Sequence, residues 1–176
     1  MPWYFLDTNA VVAGYSNNPE YIWMRGMLNK RQAKNFDRAF VISDLTTIEI
    51  ASAVYALERN RQAPTGWVNW AIPAFLDHVA TSRRERATAR DNIVPITAAI
   101  LRRAEQLVHH YRRGQPKALH TLDALQLACA LSTHDLVAPV QHQASAIFVV
   151  TIDQQLAGCA ADQVLRVIDP RHPPTP

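Results

Sequence analysis

Four carboxylates, far apart in the chain, each stand at the edge of an apolar run. Asp7 follows Trp3-Tyr4-Phe5-Leu6, and Glu49 sits in Leu45-Thr46-Thr47-Ile48-Glu49-Ile50. Asp123 sits in Leu119-His120-Thr121-Leu122-Asp123-Ala124-Leu125, and Asp153 follows Ile147-Phe148-Val149-Val150-Thr151-Ile152. An acid beside a buried segment is costly unless its charge is compensated, and a hard divalent cation is a compensation that also supplies chemistry. Singly, each acid has an ordinary reading. Asp7 and Asp153 suit a turn or a helix cap, Asp123 suits the dipole at a helix start, and Glu49 suits a solvated surface. Together, in four different elements, they describe one acidic metal site able to orient water against a phosphodiester. Thr8, Asn9 and Thr151 then read as groups that orient carboxylates or waters around it, whereas Asp44 reads as a helix cap alone.

The elements that must position these acids alternate along the chain. Strands are predicted over 3–6, 40–43, 92–96, 146–150 and 164–168, the third an edge strand because Pro95 cannot donate to a sheet's interior. A short helix follows the first strand. Others are predicted over 20–38, from a cap at Ser43 or Asp44 to about 59, over 67–90 with a bend or break at Pro73, over 97–111, over 122–131 and over 154–161. The helix over 122–131 is apolar on all sides except at Asp123 and Gln126, which places it in the interior. The alternation specifies an α/β domain with a mainly parallel sheet between helices, and ligands of such sheets bind beyond the carboxyl ends of strands. That is where Asp7 and Asp153 fall. One domain is expected over 1–169, with 170–176 as a disordered tail.

The 176 residues form enough chain for one domain with a real core, and 48% hydrophobic with 19% charged residues is a soluble globular balance. Cys129 and Cys159 lie in apolar or Ala-rich stretches without ligand spacing, which favours buried thiols and a reducing, cytoplasmic compartment. No run approaches the length of a membrane span or resembles a secretory leader. The net charge of +3 is uneven. Residues 83–120 hold nine Lys/Arg against three acids, a local +6, leaving −3 for the rest. Such a flank suits a polyanion held beside an acidic site, or is simply a solvated helical face. The helix over 20–38 mixes Arg25, Lys30, Arg31, Lys34 and Arg38 with Trp23, Met24, Met27 and Leu28, a face able to receive an amphipathic peptide or to pack on its own core.

Four segments carry a family resemblance: Phe5-Leu6-Asp7-Thr8-Asn9, Ser43-Asp44-Leu45-Thr46-Thr47-Ile48-Glu49, Thr121-Leu122-Asp123-Ala124-Leu125-Gln126-Leu127-Ala128 and Val150-Thr151-Ile152-Asp153. In this order they make the chain resemble the PIN-domain ribonucleases, and most closely VapC-type toxins of toxin-antitoxin pairs. The resemblance implies a three-layer domain with about five strands. It further implies a catalytic quartet of Asp7, Glu49, Asp123 and Asp153, with Asp7 and Asp123 as direct ligands of Mg²⁺ or Mn²⁺. RNA as substrate and a cognate antitoxin as partner follow from it, and a homodimer is left open. The stretch 67–90 is longer than in the shortest members.

Two other readings stand beside this one. A domain of the same fold could bind RNA or protein without cutting, but it would be expected to lose acids, and all four are present. A strand followed by Asp-Thr-Asn is also similar to haloacid-dehalogenase-like phosphatases, whose second Asp is replaced here by Asn9. The five glycines form neither a P-loop nor a dinucleotide-binding pattern, no Gly-x-Ser-x-Gly elbow occurs, and His109-His110 lacks zinc-ligand spacing.

Overall fold

The run Trp3-Tyr4-Phe5-Leu6 forms the central strand β1 (Trp3–Leu6), and its alternating side chains divide the core in two. The computed structural model describes residues 3–16, 18–30, 39–63, 65–84, 91–112, 118–141 and 147–173, without the side chains of 29, 30, 39, 78–84, 91, 92 and 139–141. After β1 come α1 (Thr8–Tyr15), a 3-10 turn (Pro19–Tyr21), α2 (Ile22–Lys30), β2 (Ala39–Ser43), α3 (Asp44–Arg59) and α4 (Val68–Arg84). The second half holds β3 (Asp91–Val94), α5 (Ala98–Arg112), α6 (Thr121–Gln141), β4 (Ile147–Val150), α7 (Gln154–Asp162) and β5 (Arg166–Ile168).

All five strands are parallel, in the order β3-β2-β1-β4-β5. This is the expected α/β sheet, with β3 at an edge and ending just before Pro95. Phe5, Val41, Ile147 and Val149 face a core layer closed by α5, α6 and α7. Tyr4, Leu6, Phe40 and Val150 face the opposite layer, closed by α1 to α4. Because the chain builds outward from β1 to β3 and then returns to β4 on the other side, α1 and α7 leave neighbouring strands toward opposite faces. The carboxyl ends of β1 and β4 are therefore the switch point of the topology, where sheets of this kind bind their ligands.

The apolar face of α2 belongs to the protein's own core. Met24, Met27 and Leu28 are buried against α1, and a Cβ placed on Gly14 would stand 2.3 Å from Leu28 Cδ1, so the two helices meet closely there. Of the basic residues expected on that helix, Arg31, Lys34 and Arg38 lie outside the described residues.

Three expectations are corrected. Of the bend or break expected at Pro73, the break does not occur: helix α4 is continuous from Val68 to Arg84, and both Pro73 and Asn69, whose carbonyl loses its N–H partner, are exposed, so water can take that place. The cap of α3 is Ser43, whose Oγ accepts from the Thr46 N–H at 3.2 Å, while Asp44 is already inside the first turn. Helix α6 extends ten residues past the expected end, to Gln141. Beyond β5, Asp169 accepts from the Arg171 backbone and guanidinium at 2.6 to 3.1 Å, so the described part of the expected tail, 170–173, begins as a turn. Residues 174–176 lie outside the described residues. Among the described residues no helix is long and apolar enough to cross a membrane.

Candidate active site

Asp7 extends the β1–β4 ladder by one step, its N–H donating to the Val150 carbonyl at 3.1 Å. The register therefore sets its side chain at the switch point, beside the residue that follows β4. Its Oδ2 accepts from the Thr151 hydroxyl at 2.9 Å, and only 4% of the residue is exposed. Although Asp7 stands at the N-cap of α1, its carboxylate makes no capping bond, so the ordinary reading fails for it. Burial pushes its pKa from 3.8 to about 6 against the pull of Thr151 and the Thr8 N–H, and the charges of Glu49 and Asp123 push the same way.

Glu49 enters from α3. Its Oε2 accepts from the Thr8 hydroxyl at 2.5 Å and from Gln126 Nε2 at 2.8 Å. Asp123 lies in the first turn of α6, half-buried. Burial raises its pKa, the Asp153 and Glu49 charges add to that, and His120 opposes it. Asp153 caps α7, its Oδ1 accepting from the N–H groups of Gln155 at 2.7 Å and Leu156 at 2.9 Å. The ordinary cap reading is correct for Asp153, yet its charge still reaches Asp123. Thr151 ties the two turns together, accepting from the Asp153 N–H at 3.0 Å while donating to Asp7.

The electrostatic neighbours thus run Asp7 to Glu49 and Asp123, then Asp123 to Asp153. Four elements bring the four acids within electrostatic reach of one another, in a chain from Asp7 to Asp153. Among the described residues, a basic side chain acts on one of these two aspartates, His120 on Asp123. An oxygen-only anionic donor set fits a hard divalent cation. Among the described residues no three His, Cys, Asp or Glu side chains are grouped so as to hold a metal ion by themselves.

The surrounding groups are partly the expected ones. Thr8 and Thr151 orient carboxylates; Asn9 is exposed. Gln126, Ser43 and Thr46, all buried, were not foreseen as members of the site. The only signal for Gln126 was its polarity in a helix otherwise apolar on every side, one turn after Asp123. On the basic flank, Arg102 and Arg112 are exposed and Arg103 is engaged by Asp135 at 2.6 Å. Arg86, Arg90, Arg113 and Lys117, with the side chains of Arg83 and Arg84, lie outside the described residues.

Comparison with known proteins places this geometry in context. A family model described as PIN domain matches residues 4–156. No curated protein matches the chain. Among solved structures, the chain is similar to one in VapBC2 from Rickettsia felis bound to a DNA fragment from their promoter, at 14% identity over 94% of this chain and 97% of that one, with TM-score 0.57. It is also similar to one in VapBC-1 from nontypeable Haemophilus influenzae, at 18% identity over 96% and 98%, with TM-score 0.54. At these identities the likeness is one of fold.

Proposed function

Because the chain belongs to the PIN domain family, we propose that it is a divalent-metal-dependent ribonuclease, and that it serves as the toxin of a toxin-antitoxin pair in the cytoplasm. One observation supports the reading: Asp7, Glu49, Asp123 and Asp153 come from four elements and are linked by electrostatic coupling beside the switch point of the sheet. In this reading Asp7 and Asp123 hold Mg²⁺ or Mn²⁺, and Glu49 and Asp153 complete the negative field around it. The bound ion supplies the charge that activates water and stabilises the leaving oxygen of a phosphodiester.

The chain's own groups do the rest. Thr151 holds the Asp7 carboxylate through Oδ2, and Thr8 with Gln126 holds Glu49 through Oε2. Asp153 keeps its backbone fixed by capping α7, so its charge stands at a constant place beside Asp123. Below about pH 6, where burial and neighbouring charge keep a proton on Asp7, that proton would have to leave before the carboxylate could hold a cation, so cation affinity would fall as the pH drops through this range.

The toxin assignment draws support from the similar VapBC assemblies, which are toxin-antitoxin systems by the resemblance stated above. Cleavage of a mixed RNA pool, with and without Mg²⁺ and with mapped ends, tests the enzyme. Wild type is expected to cut only with metal, and Asp7→Asn to be inactive; full activity in folded Asp7→Asn would sink the assignment. Co-expression with the neighbouring chromosomal gene tests the partner. Failure of any small protein to co-purify, together with unimpaired growth on expressing this chain alone, would leave a ribonuclease but remove the toxin.

A further inference from the structure

Gln126 is 2% exposed and stands one turn after Asp123 on α6, yet its amide reaches three other elements. Its Oε1 accepts from the Ser43 hydroxyl at 2.9 Å, at the end of β2. Its Nε2 donates to Glu49 Oε2 at 2.8 Å on α3 and to Thr8 Oγ1 at 3.1 Å on α1, with Thr46 Oγ1 further away at 3.4 Å.

The direction of these bonds is determined. A flipped amide would set its oxygen against Glu49 Oε2, acceptor against acceptor, so Nε2 must face the carboxylate. Ser43 then gives its single hydroxyl proton to Oε1. In the Ser43–Thr46 contact at 3.2 Å, Thr46 is therefore the donor. Two donors of the network converge on Glu49 Oε2, Gln126 Nε2 and the Thr8 hydroxyl. Among the described residues no buried side-chain nitrogen or oxygen lacks a partner, so the network is closed.

We propose that Gln126 is a positioning residue: it locks Glu49 against the helix that carries Asp123 and the helix that begins beside Asp7, so that one side chain sets the spacing of three acids. The proposal rests on the metal-dependent ribonuclease reading. It assigns to Gln126 no contact with substrate or metal, only the placement of Glu49. A polar side chain in an interior helix is explained thereby, since a Leu at 126 would leave the Ser43 hydroxyl and Glu49 Oε2 each short of a partner.

The test compares Gln126→Met, which keeps length without hydrogen bonds, with Gln126→His, which retains one donor and one acceptor. Mn²⁺ affinity is measured by electron paramagnetic resonance, and kcat and KM on RNA with saturating Mg²⁺. Gln126→Met is expected to bind Mn²⁺ about 10-fold more weakly and to lose about 10- to 100-fold in kcat. KM should stay within about twofold of wild type, and Gln126→His should recover most of the loss. In a Glu49→Ala background, Gln126→Met should change Mn²⁺ affinity no further, because its action passes through Glu49. Should Gln126→Met not fold, Gln126→Glu, which turns the donor facing Glu49 into an acceptor, carries the same comparison. Wild-type Mn²⁺ affinity and kcat in folded Gln126→Met, while Asp7→Asn loses both, would overturn the positioning role and leave the ribonuclease standing. An undiminished effect of Gln126→Met in the Glu49→Ala background would also overturn it. Absence of both Mn²⁺ binding and RNA cleavage in wild type would overturn the ribonuclease reading and this proposal together.

Discussion

The turns after β1 and β4 begin alike and end differently. Each leaves a central parallel strand, and each carries an Asp at the N-cap of the next helix, Asp7 for α1 and Asp153 for α7. Asp153 turns its carboxylate back onto the Gln155 and Leu156 N–H groups, satisfying two of the donors that a helix start leaves open. Asp7 makes no such bond, is nearly fully buried, and is held by a hydroxyl from the other turn while two more acids press on it. One turn stabilises its helix; the other stores electrostatic cost at the site. The same residue type at the same local position thus serves stability in one case and chemistry in the other, and the difference lies in what the neighbouring strand presents.

Removing the stored cost should produce the largest effects. Asp7→Asn is expected to lower RNA cleavage on the order of 100-fold or more, and Asp123→Asn similarly, with circular dichroism showing an intact fold. The same Asp7 substitution should stabilise the metal-free protein. A carboxyl whose folded-state pKa rises from 3.8 to about 6 binds more protons folded than unfolded between those values. Its contribution is fully present below 3.8 and is lost as pH rises through about 6. Urea unfolding of metal-free wild type should therefore show a component of stability, on the order of 3 kcal/mol, declining over that window, and Asp7→Asn should lack it. Equal pH slopes in the two proteins would contradict the stored cost.

Cutting the bond between the turns should act less strongly. Thr151→Val removes the hydroxyl that donates to Asp7 and accepts from the Asp153 N–H. The Thr151 hydroxyl holds the Asp7 pKa down, so its loss should move the acid limb of the pH–rate profile upward, with about a 10-fold loss in rate at neutral pH. An unmoved acid limb would show that the two turns are not coupled. The smallest effect is expected at the capping side. Asp153→Ala should cost about 1 kcal/mol of stability and Asp153→Asn much less, because Asn caps nearly as well. A smaller loss of cleavage in Asp153→Asn than in Asp7→Asn would keep the distinction between the turns; equal losses would erase it.

The acids and the elements that carry them were legible because each sits at the edge of an apolar run, and such runs reveal strands and buried helices directly. The five strands and the start of every helix could be read in this way to within a few residues. Which Asp caps its helix could not be read, because that depends on where the chain places the next two N–H groups, and the cap residue is Asp in both turns. The Gln126 network was hidden for a related reason. Its partners Thr8, Thr46 and Glu49 lie 118, 80 and 77 residues away, and no local periodicity encodes such pairs. At Pro73 the local rule misled, since exposure of the surrounding turn let the helix continue.

The place of β4 in the sheet also governs when the site can exist. The hydroxyl that holds Asp7 is made 144 residues after it, just past the strand that closes β1's second side. No shorter nascent chain contains a complete site. At roughly 5 to 20 residues per second of synthesis, the stretch between Asp7 and Thr151 takes several seconds or more, and the four acids cannot meet before then. A cell making the proposed toxin would therefore carry inert, incomplete chains for several seconds, an interval in which a partner already present can wait for the finished molecule.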